Sequence, residues 1–275
     1  MLWSIKRVAA RAPVLAFLVL TFGYSWTNMA IVALTVEETG LIHEFANVHG
    51  PVIGAAVMVW LLDEDVRSWI GHVRNWRVGL KWYLIALTVP ILCTDLDNVA
   101  ALALGAEVGR AETPLVLYLL NFLVVLVFAG ALEEFGWRGF LQTRLQQRYS
   151  ALATTVFIGF VWAVWHIPLY FVIDHAYDPA NLGPYVLYAM AASVIFGWLY
   201  NSTDGGLLVV MIAHAAGNMP PYLTVTGDRP AIVETVPISE FAYVLGAILV
   251  VWYAGAQTLS RDRSMAPIPS QSENT

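Results

Sequence analysis

"TPLVLYLLNFLVVLVFAGALEEFGWRGF" occupies residues 113–140 and poses the question on which the fold turns. Its first 20 residues, Thr113 to Leu132, carry no charge, and Glu133, Glu134 and Arg138 then follow at once. About 20 apolar residues rising about 1.5 Å each span the roughly 30 Å of a bilayer's hydrocarbon as a helix. A charge at that depth costs roughly 2.5–3.5 kcal/mol on insertion scales, so charged residues inside such a run are functional candidates.

The whole chain has the same character. Of its 275 residues, 59% are hydrophobic and only 12% charged, with a mean hydropathy of +0.65. A soluble domain carries about twice that charged fraction. The composition therefore predicts an all-α, polytopic transmembrane bundle whose first partner is the lipid bilayer. No basic stripe with interleaved aromatics suggests nucleic-acid binding. The single cysteine, Cys93, excludes a disulfide framework, and no removable signal peptide is expected.

Eight apolar runs recur between polar punctuation: 13–34, 47–62, 82–104, 113–140, 151–173, 184–200, 206–222 and 239–259, the second and sixth being short. Unpaired backbone groups are not tolerated in lipid, so each run is expected to be a helix. With the N-terminus cytoplasmic, only Arg110 and Arg229 of the 14 Lys and Arg fall outside. That bias predicts eight spans and cytoplasmic termini. One transmembrane domain over 1–260, with no internal repeat, and a disordered cytoplasmic tail over 261–275 complete the expected organisation. The short chain points to a prokaryotic inner membrane.

Three polar sites fall at similar depth in separate runs. Measured from the basic end at the helical rise, Glu133 lies roughly 16 Å deep, His214 roughly 13 Å and His166 roughly 21 Å. Glu134 and Arg138 are four apart and share a helix face, whereas Glu133 points about 100° away. His214 and Asn218 are also four apart, amid the small residues Ala213, Ala215, Ala216 and Gly217, which allow a neighbouring helix to approach closely. Trp162 and His166 repeat the spacing. A carboxylate with a neutral histidine can take a proton from water. A histidine with an asparagine amide can donate to the oxyanion formed when that water attacks a carbonyl. Arg138 offsets the buried charge of Glu134. One Glu and two His are also a set that zinc accepts, so Glu133, His166 and His214 are the ligands if zinc is bound, and the cofactor is left open.

Glu133-Glu134-x-x-x-Arg138, Trp162-x-x-x-His166 and His214-x-x-x-Asn218, in that order, resemble the CPBP family of CAAX-processing and bacteriocin-immunity (Abi) intramembrane proteases. That group includes the type II CAAX prenyl endopeptidases. The resemblance covers about 113–222 and implies that Glu133 is the general base, with His166 its partner in activating water. His214 and Asn218 are implied as the oxyanion pair, and Glu134 and Arg138 as their support. It also implies a peptide or protein substrate, prenylated in the eukaryotic relatives, and either a metalloprotease or a metal-free glutamate mechanism. The second motif usually opens with Phe, and here Trp162 stands there, which concerns packing more than chemistry.

Two rival readings use the same buried residues: a transporter or channel, and a non-catalytic immunity scaffold. Asp95 and Asp97 match no family motif and are expected to serve helix packing or a water-lined surface. His43, His49, His72 and His175 fall near run ends and are expected to be solvated.

Overall fold

Among the described residues eight apolar helices form in the order the hydropathy predicts: α1 (Pro13–Thr35), α2 (Gly50–Leu61), α3 (Leu80–Ala103), α4 (Leu115–Leu145), α5 (Ala151–Phe171), α6 (Leu182–Ser202), α7 (Leu207–Gly217) and α8 (Ile238–Ala254). The computed structural model describes residues 2–35, 47–110, 113–172, 177–262 and 265–266. His43, His175 and most of the expected tail lie outside those residues. By length and apolarity, α1, α3, α4, α5 and α6 can each cross a membrane. The other three have 12, 11 and 17 residues. The apolar run 206–222 predicts one span, yet α7 ends at Gly217, because Pro220 and Pro221 cannot continue a helix. The sixth run, read as short, extends to 21 residues.

Much of the exterior is apolar, and the apolar interior encloses a set of buried polar groups. Leu115–Phe128, the first part of α4, has no buried residue, and Leu34 and Trp252 are 86% and 83% exposed. A water-soluble protein does not display apolar surface on that scale. By contrast Glu134, Arg138 and Gln142 are fully buried.

Helix α5 packs most extensively on α6, α6 on α8, α3 on α7 and α1 on α2. Small residues permit the closest crossing. A Cβ at Gly159 of α5 would stand 2.5 Å from the Ala189 carbonyl oxygen of α6, so the two backbones nearly touch there.

Asp95 and Asp97 prove to be staples. Asp95 Oδ1 accepts from the Leu223 amide at 3.2 Å, and Asp97 accepts from the amide and hydroxyl of Ser239. Asn98 donates to the Leu223 carbonyl at 2.9 Å and accepts from Arg229 at 2.8 Å. Together they pin the segment after α7 to the end of α3. That segment carries β2 (Leu223–Val225), which pairs antiparallel with β1 (Val108–Arg110).

His49 and His72 are half-buried rather than solvated. The His72 ring lies 6.4 Å from that of Tyr200, with Nδ1 3.3 Å from its hydroxyl. Desolvation lowers the His72 pKa from 6.5 to about 4.

Two measurements test this packing. Gly159→Leu should destabilise the detergent-solubilised protein by about 1–3 kcal/mol or more, as overpacking does, seen as a lower thermal midpoint. For His72 the unfolded chain takes a proton near pH 6.5, which the folded state refuses until about pH 4. Its contribution to stability should therefore fall as pH drops through that window and level off below it. His72→Asn should flatten the wild type's decline between those two pH values.

Candidate active site

The α4 helix is not a continuous rod, and its breaks aim the carboxylates. Regular helix ends at Phe128, and Ala129 adopts φ −131°, ψ −135°. A 3-10 turn, Gly130–Leu132, leads into Glu133–Gly136, and a π-helical stretch, Trp137–Gln142, follows. Non-helical backbone at membrane depth persists only where protein buries it or a cavity borders it, and π-turns concentrate at functional sites. Helix α5 breaks too. Its first part ends at Trp165, and His166 occupies the junction before Ile167–Phe171. Pro168 causes this, because its ring clashes with the carbonyl four residues back and it has no amide to donate. Asn218 is the residue that terminates α7. The predicted site residues thus stand at helix interruptions in three spans.

Glu134 is the hub. Arg138 Nη1 donates to its Oε1 at 3.0 Å and lies 2.9 Å from its Oε2. His214 Nδ1 from α7 sits 2.7 Å from the same Oε1. Arg138 Nη2 reaches α6, donating to Ser193 Oγ at 3.0 Å, and its guanidinium lies 5.2 Å from the Phe196 ring centroid. The expected Glu134–Arg138 pair is present, and it also recruits a histidine and a serine from other helices.

Glu133, 2% exposed, faces elsewhere, as the 100° offset requires. Its Oε2 accepts from two indoles, Trp137 at 3.1 Å and Trp162 at 2.9 Å. Oε1 makes no hydrogen bond among the described residues. Trp162 also lies between the imidazoles: its ring centroid is 5.4 Å from that of His214 and 5.7 Å from that of His166. His166 Nδ1 is 2.9 Å from the Trp162 carbonyl. Its ring packs on Trp165 and Tyr185 at 4.7 and 5.3 Å. No hydrogen bond joins Glu133 directly to either histidine among the described residues.

Gly130 marks where His214 and Asn218 converge. A Cβ there would lie 2.7 Å from Asn218 Nδ2 and 2.9 Å from His214 Nε2. The absence of a side chain leaves both nitrogens beside open backbone, one turn before Glu133. Three contributors were missed in the sequence: Trp137, Ser193 and Gly130. Trp137 was accessible, lying four residues from Glu133 on one face. Ser193, polar within an apolar helix, was a weaker signal.

The zinc alternative can be tested against this geometry. Among the described residues no three His, Cys, Asp or Glu side chains gather as metal ligands. His214 Nδ1 is occupied by Glu134, and one Glu133 oxygen by two indoles. Glu133 Oε1 and Nε2 of both His166 and His214 make no hydrogen bond among the described residues, so these donors are open although they are not gathered around one point.

Residues 115–220 match the family model described as "Type II CAAX prenyl endopeptidase Rce1-like". "CAAX prenyl protease 2" of Methanococcus maripaludis is 29% identical over 119 residues, 41% of this chain and 44% of its own length. "Lysostaphin resistance protein A" of Staphylococcus epidermidis is 26% identical over 218 residues, 70% of this chain and 53% of its own. The chain spans about half the length of the curated relatives it matches. These matches bear out the resemblance to the CPBP family carried by the three motifs.

Because Arg138 is the counter-ion of a buried carboxylate, Arg138→Leu should cost about 3–5 kcal/mol. Thermal unfolding in detergent measures this. Arg138→Lys should lose less, since it keeps the charge but not the forked contact with Glu134 and Ser193.

Proposed function

We propose that the chain is an intramembrane endopeptidase in which Glu133 activates water and His214 with Asn218 stabilises the oxyanion. The observation that supports this best is the division of labour between adjacent carboxylates. Glu134 is consumed by Arg138 and His214. Glu133 keeps one oxygen without a partner among the described residues while two indoles hold the other.

In this reading Oε1 of Glu133 takes a proton from a water that lies between it and His166. The hydroxide attacks the peptide carbonyl, and the proton passes to the leaving amine as the tetrahedral intermediate collapses. Asn218 Nδ2 donates to the oxyanion. His214 donates through Nε2 when both ring nitrogens carry protons, and Glu134, on its Nδ1, is the counter-ion that this form requires. Two carboxylates, Arg138 and an imidazolium then sum to zero charge, which suits a site removed from water. Trp137 and Trp162 act as positioning residues, fixing the Glu133 carboxylate with Oε1 outward.

Short membrane peptides and prenylated CAAX-type proteins are the substrate classes that the relatives' names and the family resemblance suggest. The basic-residue bias supports cytoplasmic termini. One observation favours a second reading: interrupted helices α4 and α5 are also what ion-coupled transporters use. Flux through proteoliposomes that depends on Glu133 would support that alternative.

Comparative peptidomics of membranes carrying the wild-type chain or Glu133→Gln should reveal substrates that accumulate uncut. Against such a substrate Glu133→Gln should lose about 10²–10⁴-fold in rate, the usual contribution of a general base. Full activity in Glu133→Gln or His166→Ala overturns the assignment. Trp162→Phe keeps an aromatic ring but removes a hydrogen bond to a charged group, worth roughly 1.5–3 kcal/mol. It should therefore lower kcat about tenfold or more, with little change in KM.

A further inference from the structure

At one end of the bundle, away from the carboxylates, a cavity of about 870 Å³ opens where residues 10–15, 62–64, 144–149 and 153–157 meet. That volume falls in the range of small-molecule sites, roughly 300–1,000 Å³. Its charges are unequally spent. Arg144 is paired with Glu64 and stacks on Phe140, 3.5 Å from the ring centroid, so the floor is electrically balanced. Arg11 and Arg148 come from different segments and both line the cavity. Both are exposed, and neither guanidinium makes a hydrogen bond or ion pair among the described residues. Two uncompensated cations thus share one concavity in a chain whose net charge is −6.

The walls supply the second half of the recognition. Helix α1 starts here at Pro13, α4 ends at Leu145 and α5 begins at Ala151, so the cavity lies at the boundary of the apolar belt. Further along α1 and α5 from that boundary, Leu15 and Phe157 line it and are 62% and 41% exposed. A ligand that fits is anionic at one end and hydrocarbon at the other. We propose that this cavity seats the headgroup of an anionic phospholipid from the adjoining leaflet. Its phosphodiester meets Arg11 and Arg148, and its acyl chains run down past Leu15 and Phe157. Basic pockets between spans recognise anionic headgroups in this way, and an arginine fork suits phosphate oxygens. The site does not depend on the chemistry proposed for Glu133.

Native mass spectrometry of the full-length chain in detergent tests it, with dioleoyl phosphatidylglycerol, dioleoyl phosphatidylcholine and inorganic phosphate as probes. The expected result is preferential retention of phosphatidylglycerol, about one molecule per chain. The Arg11→Gln/Arg148→Gln double variant should bind it roughly 25-fold more weakly, about fivefold per arginine. Arg77→Gln/Lys81→Gln, which removes two cations elsewhere, should bind as the wild type does. Ala153→Trp, which fills the cavity and leaves both arginines in place, should also reduce retention. Equal retention of the two lipids, or undiminished binding by both the double variant and Ala153→Trp, overturns the proposal. Inorganic phosphate that competes as well as phosphatidylglycerol overturns it too, by showing a simple anion site.

Discussion

The carboxylate of Glu134 is the fastening point of this bundle. It receives Arg138 from its own helix and His214 from α7, while Arg138 continues to Ser193 on α6. In a low-dielectric interior each of those charges is tolerable only with its partners present, and removing one leaves the others uncompensated. The network therefore makes the arrangement of three helices conditional on a single geometry. An all-apolar core would have stabilised a bundle equally well, but it would not have specified which face of α4 meets α7. Charge pairing does that here, and it also leaves Glu133, one residue earlier, turned toward a different set of neighbours.

Helix interruptions are the second constraint. An unbroken helix satisfies its own backbone and presents only side chains. By ending regular helix at Phe128, halting α5 at His166 and stopping α7 at Asn218, the chain brings backbone and short polar side chains to one depth. Gly130 belongs to this design, because any side chain there would occupy the space shared by Asn218 and His214. Pro168 enforces one interruption and the Pro220–Pro221 pair another. At Ala129 no proline acts, and the turn that follows packs against α7.

The indoles of Trp137 and Trp162 are a third element. Each satisfies its buried N–H on the same carboxylate oxygen, so two groups that would otherwise be costly in an apolar interior instead constrain Glu133. A phenylalanine at position 162 could pack there but could not donate, so the indole contributes chemically as well as sterically.

How much of this was written in the sequence can be judged residue by residue. Hydropathy alone determined eight helices, because lipid forbids unpaired backbone and a 3.6-residue repeat has a definite length for a given thickness. The Glu134–Arg138 pair and the divergence of Glu133 followed from helical spacing, a local property. Asp95 and Asp97 carried no such local signal. Their partners, Leu223 and Ser239, lie more than 120 residues away, so only the folded chain reveals them as staples. His72 was read as solvated because its exposure depends on Tyr200 packing across it. The recruitment of His214 by Glu134, the two indoles on Glu133 and the cavity between Arg11 and Arg148 likewise join distant segments. Periodicity reports which way a side chain leaves its own helix. Which neighbour it then meets is decided by how the helices pack, and that is a property of the tertiary structure.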